Sequence, residues 1–150
     1  MTRFSRIVCP TDFSQAAKRA VDHAATLAAA FRAELVLLHV IPEIDYPMRS
    51  FGISQSLEHI QAELDAKAKE SLAEIAAAAQ QDHAQLAVRS VLRDGEIHEE
   101  ILACALEEAA DVIVLGTHGQ SALADALLGG TAERVLRTSK CPVLAVPSPS

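Results

Sequence analysis

Val112-Ile-Val-Leu-Gly116-Thr-His-Gly119 opens a stretch that runs on through Gln120-Ser-Ala-Leu-Ala-Asp-Ala-Leu-Leu-Gly129-Gly130-Thr131. Its first four residues are an unbroken apolar run, the pattern of a strand buried on both faces. Glycines follow at once, and a second glycine pair precedes the helical spacing of Ala132-Glu-Arg-Val-Leu-Arg137. Glycine behind a strand and again ahead of a helix lets backbone N–H groups come close to an anion. The spacing is neither the Gly-x-Gly-x2-Gly of dinucleotide sites nor the Gly-x4-Gly-Lys loop of common ATPases. A strand feeding a loop and then a helix is one unit of an α/β fold.

Working outward, the same unit recurs. Upstream, Asp94-Gly95 turns into a helix with Ile97, Ile101, Leu102, Ala105 and Leu106 facing inward. Leu86-Ala-Val-Arg-Ser-Val-Leu92 mixes polar with apolar positions, as an edge strand would. Leu57, Ile60, Leu64, Ala68, Leu72, Ile75 and Ala79 mark a long amphipathic helix. Its other face, with Glu58, Glu63, Asp65, Lys67, Lys69, Glu70 and Glu74, reads as solvated. Before it comes a loop over residues 42–56 holding Tyr46, Met48 and Phe51, long enough to suggest function or mobility. Leu35-Val-Leu-Leu-His-Val-Ile41 is a buried strand apart from His39, and Pro42 stops it. At the start, Ile7-Val-Cys-Pro gives a short strand, and Ser14 is placed to cap a helix with Ala17, Ala20, Val21, Ala24, Leu27, Ala28 and Phe31 at helical spacing. Downstream, Cys141-Pro-Val-Leu-Ala-Val146 is a last strand closed by Pro147 and Pro149. The order β-α-β-α-β-α-β-α-β predicts a single doubly wound α/β domain over residues 1–150, with a five-stranded, mostly parallel sheet and helices on both faces.

Composition excludes several functions. A net charge of −7, with no block of Lys or Arg, argues against nucleic-acid binding, which draws its affinity from cations on phosphates. No apolar run reaches the roughly 18 residues of a membrane span. Met1-Thr-Arg-Phe-Ser-Arg-Ile leads straight into a strand, with no apolar signal region. Three cysteines, Cys9, Cys104 and Cys141, form no C-x2-C pair, as in reduced, cytoplasmic proteins. Cytoplasmic localisation is the expectation. Apolar neighbours and no adjacent base mark Cys9 and Cys141 as inert packing residues.

In sheets of this kind ligands sit beyond the carboxyl ends of the strands, where strand order reverses. Under an order 3-2-1-4-5 that point lies between the first and fourth strands. Pro10-Thr11-Asp12 and Gly116-Thr117-His118-Gly119 then converge on one crevice.

Five fragments in order carry a specific likeness: Ile7-Val-Cys-Pro-Thr-Asp-Phe-Ser14, Leu37-Leu-His-Val40, Val114-Leu-Gly-Thr-His-Gly119, Gly129 to Val135, and Cys141-Pro-Val-Leu-Ala-Val-Pro147. Together they make the chain resemble the universal stress proteins over nearly all its length. That resemblance implies an adenine-nucleotide alpha-hydrolase-like fold and, for members with Gly-x2-Gly-x9-Gly-Ser/Thr, a bound ATP. Gly116, Gly119 and Gly129 match the three glycines. By similarity, the nucleotide-binding residues are Thr11, Asp12, Val40, Gly116, Thr117, Gly119, Gly129, Gly130 and Thr131. Asp12 would lie near the ribose or a phosphate-bound Mg, the Val40 backbone would meet the adenine, and the others would surround ribose and phosphates. ATP, ADP and AMP all remain open as the ligand. Two positions depart from the pattern. Gly130 stands where the motif has Ser or Thr, and Gln120 where relatives often carry Arg or Lys.

The resemblance also implies a homodimer formed by pairing of the apolar edge Val143 to Val146, and action on a protein partner that the sequence does not name. Of the histidines, His39 reads as a satisfied core residue and His118 as a solvated loop residue. His23, His59, His83 and His98 show no H-x3-H metal spacing. No catalytic residue is identified, because no carboxylate or serine is placed to complete a relay with His118. The chain also lacks His-x-Gly-His, Lys-Met-Ser-Lys-Ser and Ser-Gly-Gly-x-Asp loops. The expectation is a nucleotide-binding stress-response module with at most slow ATP hydrolysis. The alternative is a relative that has lost useful ATP affinity and works as a dimer through protein contacts.

Overall fold

The computed structural model describes residues 3–43, 54–118 and 128–148. The chain runs β1 (Arg6–Pro10), α1 (Gln15–Phe31), β2 (Glu34–Ile41), α2 (Ser54–Asp82), β3 (Ala87–Asp94), α3 (Ile97–Glu107), β4 (Val112–Gly116), α4 (Gly130–Thr138) and β5 (Val143–Val146). Five strands pair in the order β3-β2-β1-β4-β5, every neighbour parallel. This is the doubly wound α/β arrangement, in the order 3-2-1-4-5, that the sequence implies.

Period-two alternation divides the core into two layers. Ile7, Cys9, Leu35, Leu37, Val112 and Val114 face α1 and α2, against Ala20, Val21, Ala24 and Leu72. Val8, Val36, Leu38, Ile113 and Leu115 face α3 and α4, against Ile101, Cys104, Ala132 and Val135. Alanines on α1 let the helix axis approach the sheet closely, which is how a chain with so few aromatics fills its core. The central strands are buried over most of their length, whereas β3 at the edge has only exposed and half-buried positions.

Side chains fix the starts and turns. Ser14 accepts the Ala17 amide at 3.1 Å and so caps α1, as its position predicts. Asp111 ties the entry of β4 to that of β1, accepting the amides of Ser5 at 2.7 Å and Arg6 at 2.9 Å. Along the β2–β3 side Arg6, Glu34, Arg89 and Glu108 form one ion-pair network, with Arg89 bridging Glu34 and Glu108.

Three local expectations are corrected. Leu106 is 70% exposed rather than inward, because Ile101, Cys104 and Ala105 take the buried stripe of α3. The long helix begins at Ser54, inside the expected 42–56 loop, and Tyr46, Met48 and Phe51 fall outside the described residues. Cys141 is half-buried, not enclosed.

Candidate functional site

β1 has β2 on one side and β4 on the other, and the helices that follow β1 and β4 leave the sheet separately. The chain segments must part beyond Pro10, and a cleft of about 1100 Å³ opens there. Thr11 continues the β1–β2 ladder for one more bond, its amide donating to the Leu38 carbonyl at 2.8 Å. Its buried hydroxyl accepts the Phe13 amide at 3.1 Å, so this side chain serves the turn. Asp12 projects from that turn and accepts the Ser14 amide at 3.0 Å. It is the one carboxylate among the described lining residues. Val40, 6% exposed, and Ile41 line the β2 side.

The opposite wall is made by β4 and the start of α4. Gly129 donates its amide to the Thr117 carbonyl at 2.5 Å, and a Cβ on Gly129 would stand 2.9 Å from that same oxygen. A Cβ on Gly116 would meet the Ala16 carbonyl at 3.2 Å. Both glycines therefore permit close backbone approach rather than unusual torsions; Gly129 sits at φ −68° and ψ 158°. A Cβ on Gly130, in contrast, meets no described atom within 4 Å. Gly129 as N-cap offers no side-chain bond to the first turn of α4. Among the described residues no side chain takes the leading N–H groups of that helix, which lines the cleft from Gly130 to Ala132, an arrangement that suits an anion.

Of the nine residues singled out by sequence, Thr11, Asp12, Val40, Gly116, Thr117, Gly129, Gly130 and Thr131 line this one cleft. Gly119 and Gln120 lie outside the described residues. His118 is half-buried on the cleft wall and shares a 2.9 Å hydrogen bond with the Thr117 hydroxyl, so it is not simply a solvated loop residue.

Sequence reasoning missed four contributors. Lys67 reads in sequence as part of the solvated face of α2, yet it lines the cleft. Arg134 lines the cleft from α4, four residues beyond Gly130 and hence on the same helix face, a signal available in the spacing. Its guanidinium lies 3.9 Å from Glu96. Burial works to raise the Glu96 pKa, but the Glu99 amide, His98 and Arg134 outweigh it and hold the carboxyl below its ordinary value. His39 and Phe13, from separate elements, stack within the cleft at 4.4 Å.

An open cleft at the strand-order reversal, walled by closely approaching glycine backbone, marks a doubly wound α/β protein with a crevice beyond β1 and β4, the place where such sheets take ligands. The universal stress protein family model matches residues 3–147, and the chain belongs to that family. It is similar to the universal stress protein MJ0577 of Methanocaldococcus jannaschii, with 32% identity covering 95% of this chain and 94% of that one. The solved structure of MJ0577 superimposes with a TM-score of 0.80 at 30% identity, covering 99% of each chain. YxiE of Bacillus subtilis is 33% identical over 95% of this chain and 99% of its own. A universal stress protein solved in complex with cAMP is 28% identical, with a TM-score of 0.71 over 99% of this chain and 100% of that one.

Proposed function

We propose that this universal stress protein binds ATP in the cleft between β1 and β4 and acts in the cytoplasm as a regulatory or protective stress-response module, with at most slow hydrolysis. The observation that carries the reading is the convergence of Asp12, Val40, Gly116, Gly129 and the open start of α4 on one cleft. Its volume of about 1100 Å³ is ample for a nucleotide. Cation and donor supply also fit: amides of α4 for phosphate oxygens, Arg134 and Lys67 at the margin, and the Asp12 carboxylate for a phosphate-bound Mg. A bound Mg would neutralise phosphate charge that these two peripheral cations meet only in part. The cAMP complex of a relative supports adenine-nucleotide recognition on this fold.

Calorimetric titration with ATP and Mg, with mass spectrometry of nucleotide retained through purification, tests the proposal. Binding at millimolar ATP or below is expected; no heat at that concentration refutes it.

One observation favours the alternative, action through protein contacts without useful ATP affinity. Gly130 supplies no hydroxyl at the position where the motif's Ser or Thr would face the phosphates. Either way, we infer a homodimer formed through β5. Its outer edge pairs with no strand among the described residues, and Leu144 is 41% exposed on it. Light scattering at micromolar concentration should give twice the chain mass for the native protein and a monomer for Leu144→Glu. A monomeric native protein refutes the dimer.

A further inference from the structure

Asp12 is flanked by two residues that a single side chain from another strand holds in place. His39 Nδ1 lies 2.7 Å from the Thr11 carbonyl oxygen. A carbonyl only accepts, so Nδ1 carries the proton and donates, and the ring's tautomer is fixed by the fold. The face of the same ring stacks on Phe13, centroid to centroid at 4.4 Å with 31° between planes.

Phe13 needs such support. Its φ of +66° is in the left-handed region, where a side chain other than glycine is strained. It is half-buried, packed against the core layer beneath α1 and α2. The residue also lines both the cleft and a second groove of about 590 Å³ between α1 and α2. Phe13's amide is held by the Thr11 hydroxyl at 3.1 Å, and Asp12's own carboxylate is engaged by the Ser14 amide at 3.0 Å. Removing His39 would therefore take one contact from the Thr11 carbonyl and one from the Phe13 ring together, and Asp12 lies between them.

We propose that His39 is a positioning residue: its Nδ1–H on Thr11 and its ring on Phe13 hold the strained turn that presents Asp12 to the cleft in a ligand-ready place. The link to ligand rests on the nucleotide reading above. The hold on the turn does not, and the two fail separately.

Three substitutions divide the contacts. His39→Asn keeps an amide donor near the Nδ1 position and loses the ring. His39→Phe keeps the ring and loses the donor. His39→Leu loses both. Hydrogen exchange at the Phe13 and Ser14 amides, followed by NMR in the full chain without nucleotide, reads the turn directly. Exchange in His39→Leu should rise about ten-fold or more relative to amides of the β1–β2 ladder, with His39→Asn and His39→Phe falling between it and the native protein. Affinity for MgATP should weaken about ten-fold in His39→Leu and be restored in part by His39→Asn. Unchanged exchange in His39→Leu overturns the proposal, as does faster exchange with MgATP affinity intact. Equal behaviour of the Asn and Leu variants removes the hydrogen bond from it. If the native protein binds no MgATP, the nucleotide reading fails and exchange alone decides the role of His39. Should His39→Leu not fold, the Asn and Phe variants carry the same comparison.

Discussion

Adjacent glycines at the start of α4 should respond in opposite ways to a gained side chain. A Cβ at Gly130 enters space clear of described atoms to 4 Å, and the residue opens the helix, where serine is less costly than glycine by a few tenths of a kcal/mol. Gly130→Ser is expected to keep or slightly raise stability and to restore the hydroxyl that the family motif places beside the phosphates. A hydrogen bond to a charged group contributes about 1.5–3 kcal/mol, so after side-chain ordering the affinity for ATP should rise about ten-fold. Gly129→Ala should do the reverse. Its Cβ would stand 2.9 Å from the Thr117 carbonyl, which already accepts the Gly129 amide at 2.5 Å. Backing away from the clash lengthens that bond and moves the mouth of the cleft. Overpacking of this kind costs about 1–3 kcal/mol, or a fall in Tm of roughly 2–12 °C for a domain of this size. Calorimetric titration with MgATP and thermal unfolding of both variants supply the numbers. A Gly130→Ser protein with unchanged affinity, beside a Gly129→Ala protein with native affinity and Tm, would refute phosphate binding at this helix start.

Three further outcomes follow from other parts of the molecule. Arg134→Gln should weaken ATP binding about two- to five-fold and leave adenosine unaffected, because an exposed cation at 64% side-chain accessibility contributes little and only to phosphate charge; equal loss for adenosine on titration sinks this. Arg89 hydrogen bonds hold the Glu108 pKa below its ordinary value, so the stability it contributes is present above the usual carboxylate range and lost as pH falls through the depressed folded-state value. The difference in urea midpoint between native protein and Glu108→Gln should thus be present at neutral pH and close on acidification below about pH 4; a constant difference contradicts the linkage. Complete burial, with Asp22 nearby, pushes the Cys9 thiol up to about 12, so a thiol reagent near neutral pH should label half-buried Cys141 and spare Cys9 until unfolding. Native-state modification of Cys9, mapped by mass spectrometry, would show the core opening.

Much of the fold was legible because each buried strand here is a continuous apolar run and each helix carries its stripe at steps of three and four. β1, β2 and β4 are buried in the middle of the sheet, and their sequences have almost no polar interruption. β3 reads as mixed because it is an edge. Where period alone had to choose the inward residue, as at Leu106 on α3, it failed: the six consecutive apolar residues from Ile101 to Leu106 compete for a stripe that holds three.

The site was legible in proportion to how local its logic is. Gly116 and Gly129 announce close backbone approach within one loop-and-helix unit, and topology alone brings Pro10-Thr11-Asp12 beside them. Lys67 could not be separated from ordinary solvated charges, since only the packed geometry of α2 brings it to the cleft's margin, whereas Arg134 was readable from its four-residue step beyond Gly130. His39 is the furthest case. Its bond to Thr11 spans 28 residues, and in the strand pattern it was indistinguishable from any satisfied core histidine. A core role and a site role are the same role here: the atom that satisfies His39 is the backbone oxygen next to Asp12, so the bond that makes the histidine tolerable in the sheet also locates the carboxylate. A polar residue inside an otherwise apolar central strand, one register step beyond the end of its neighbour, is therefore a place to look for the support of a cleft at that strand's end.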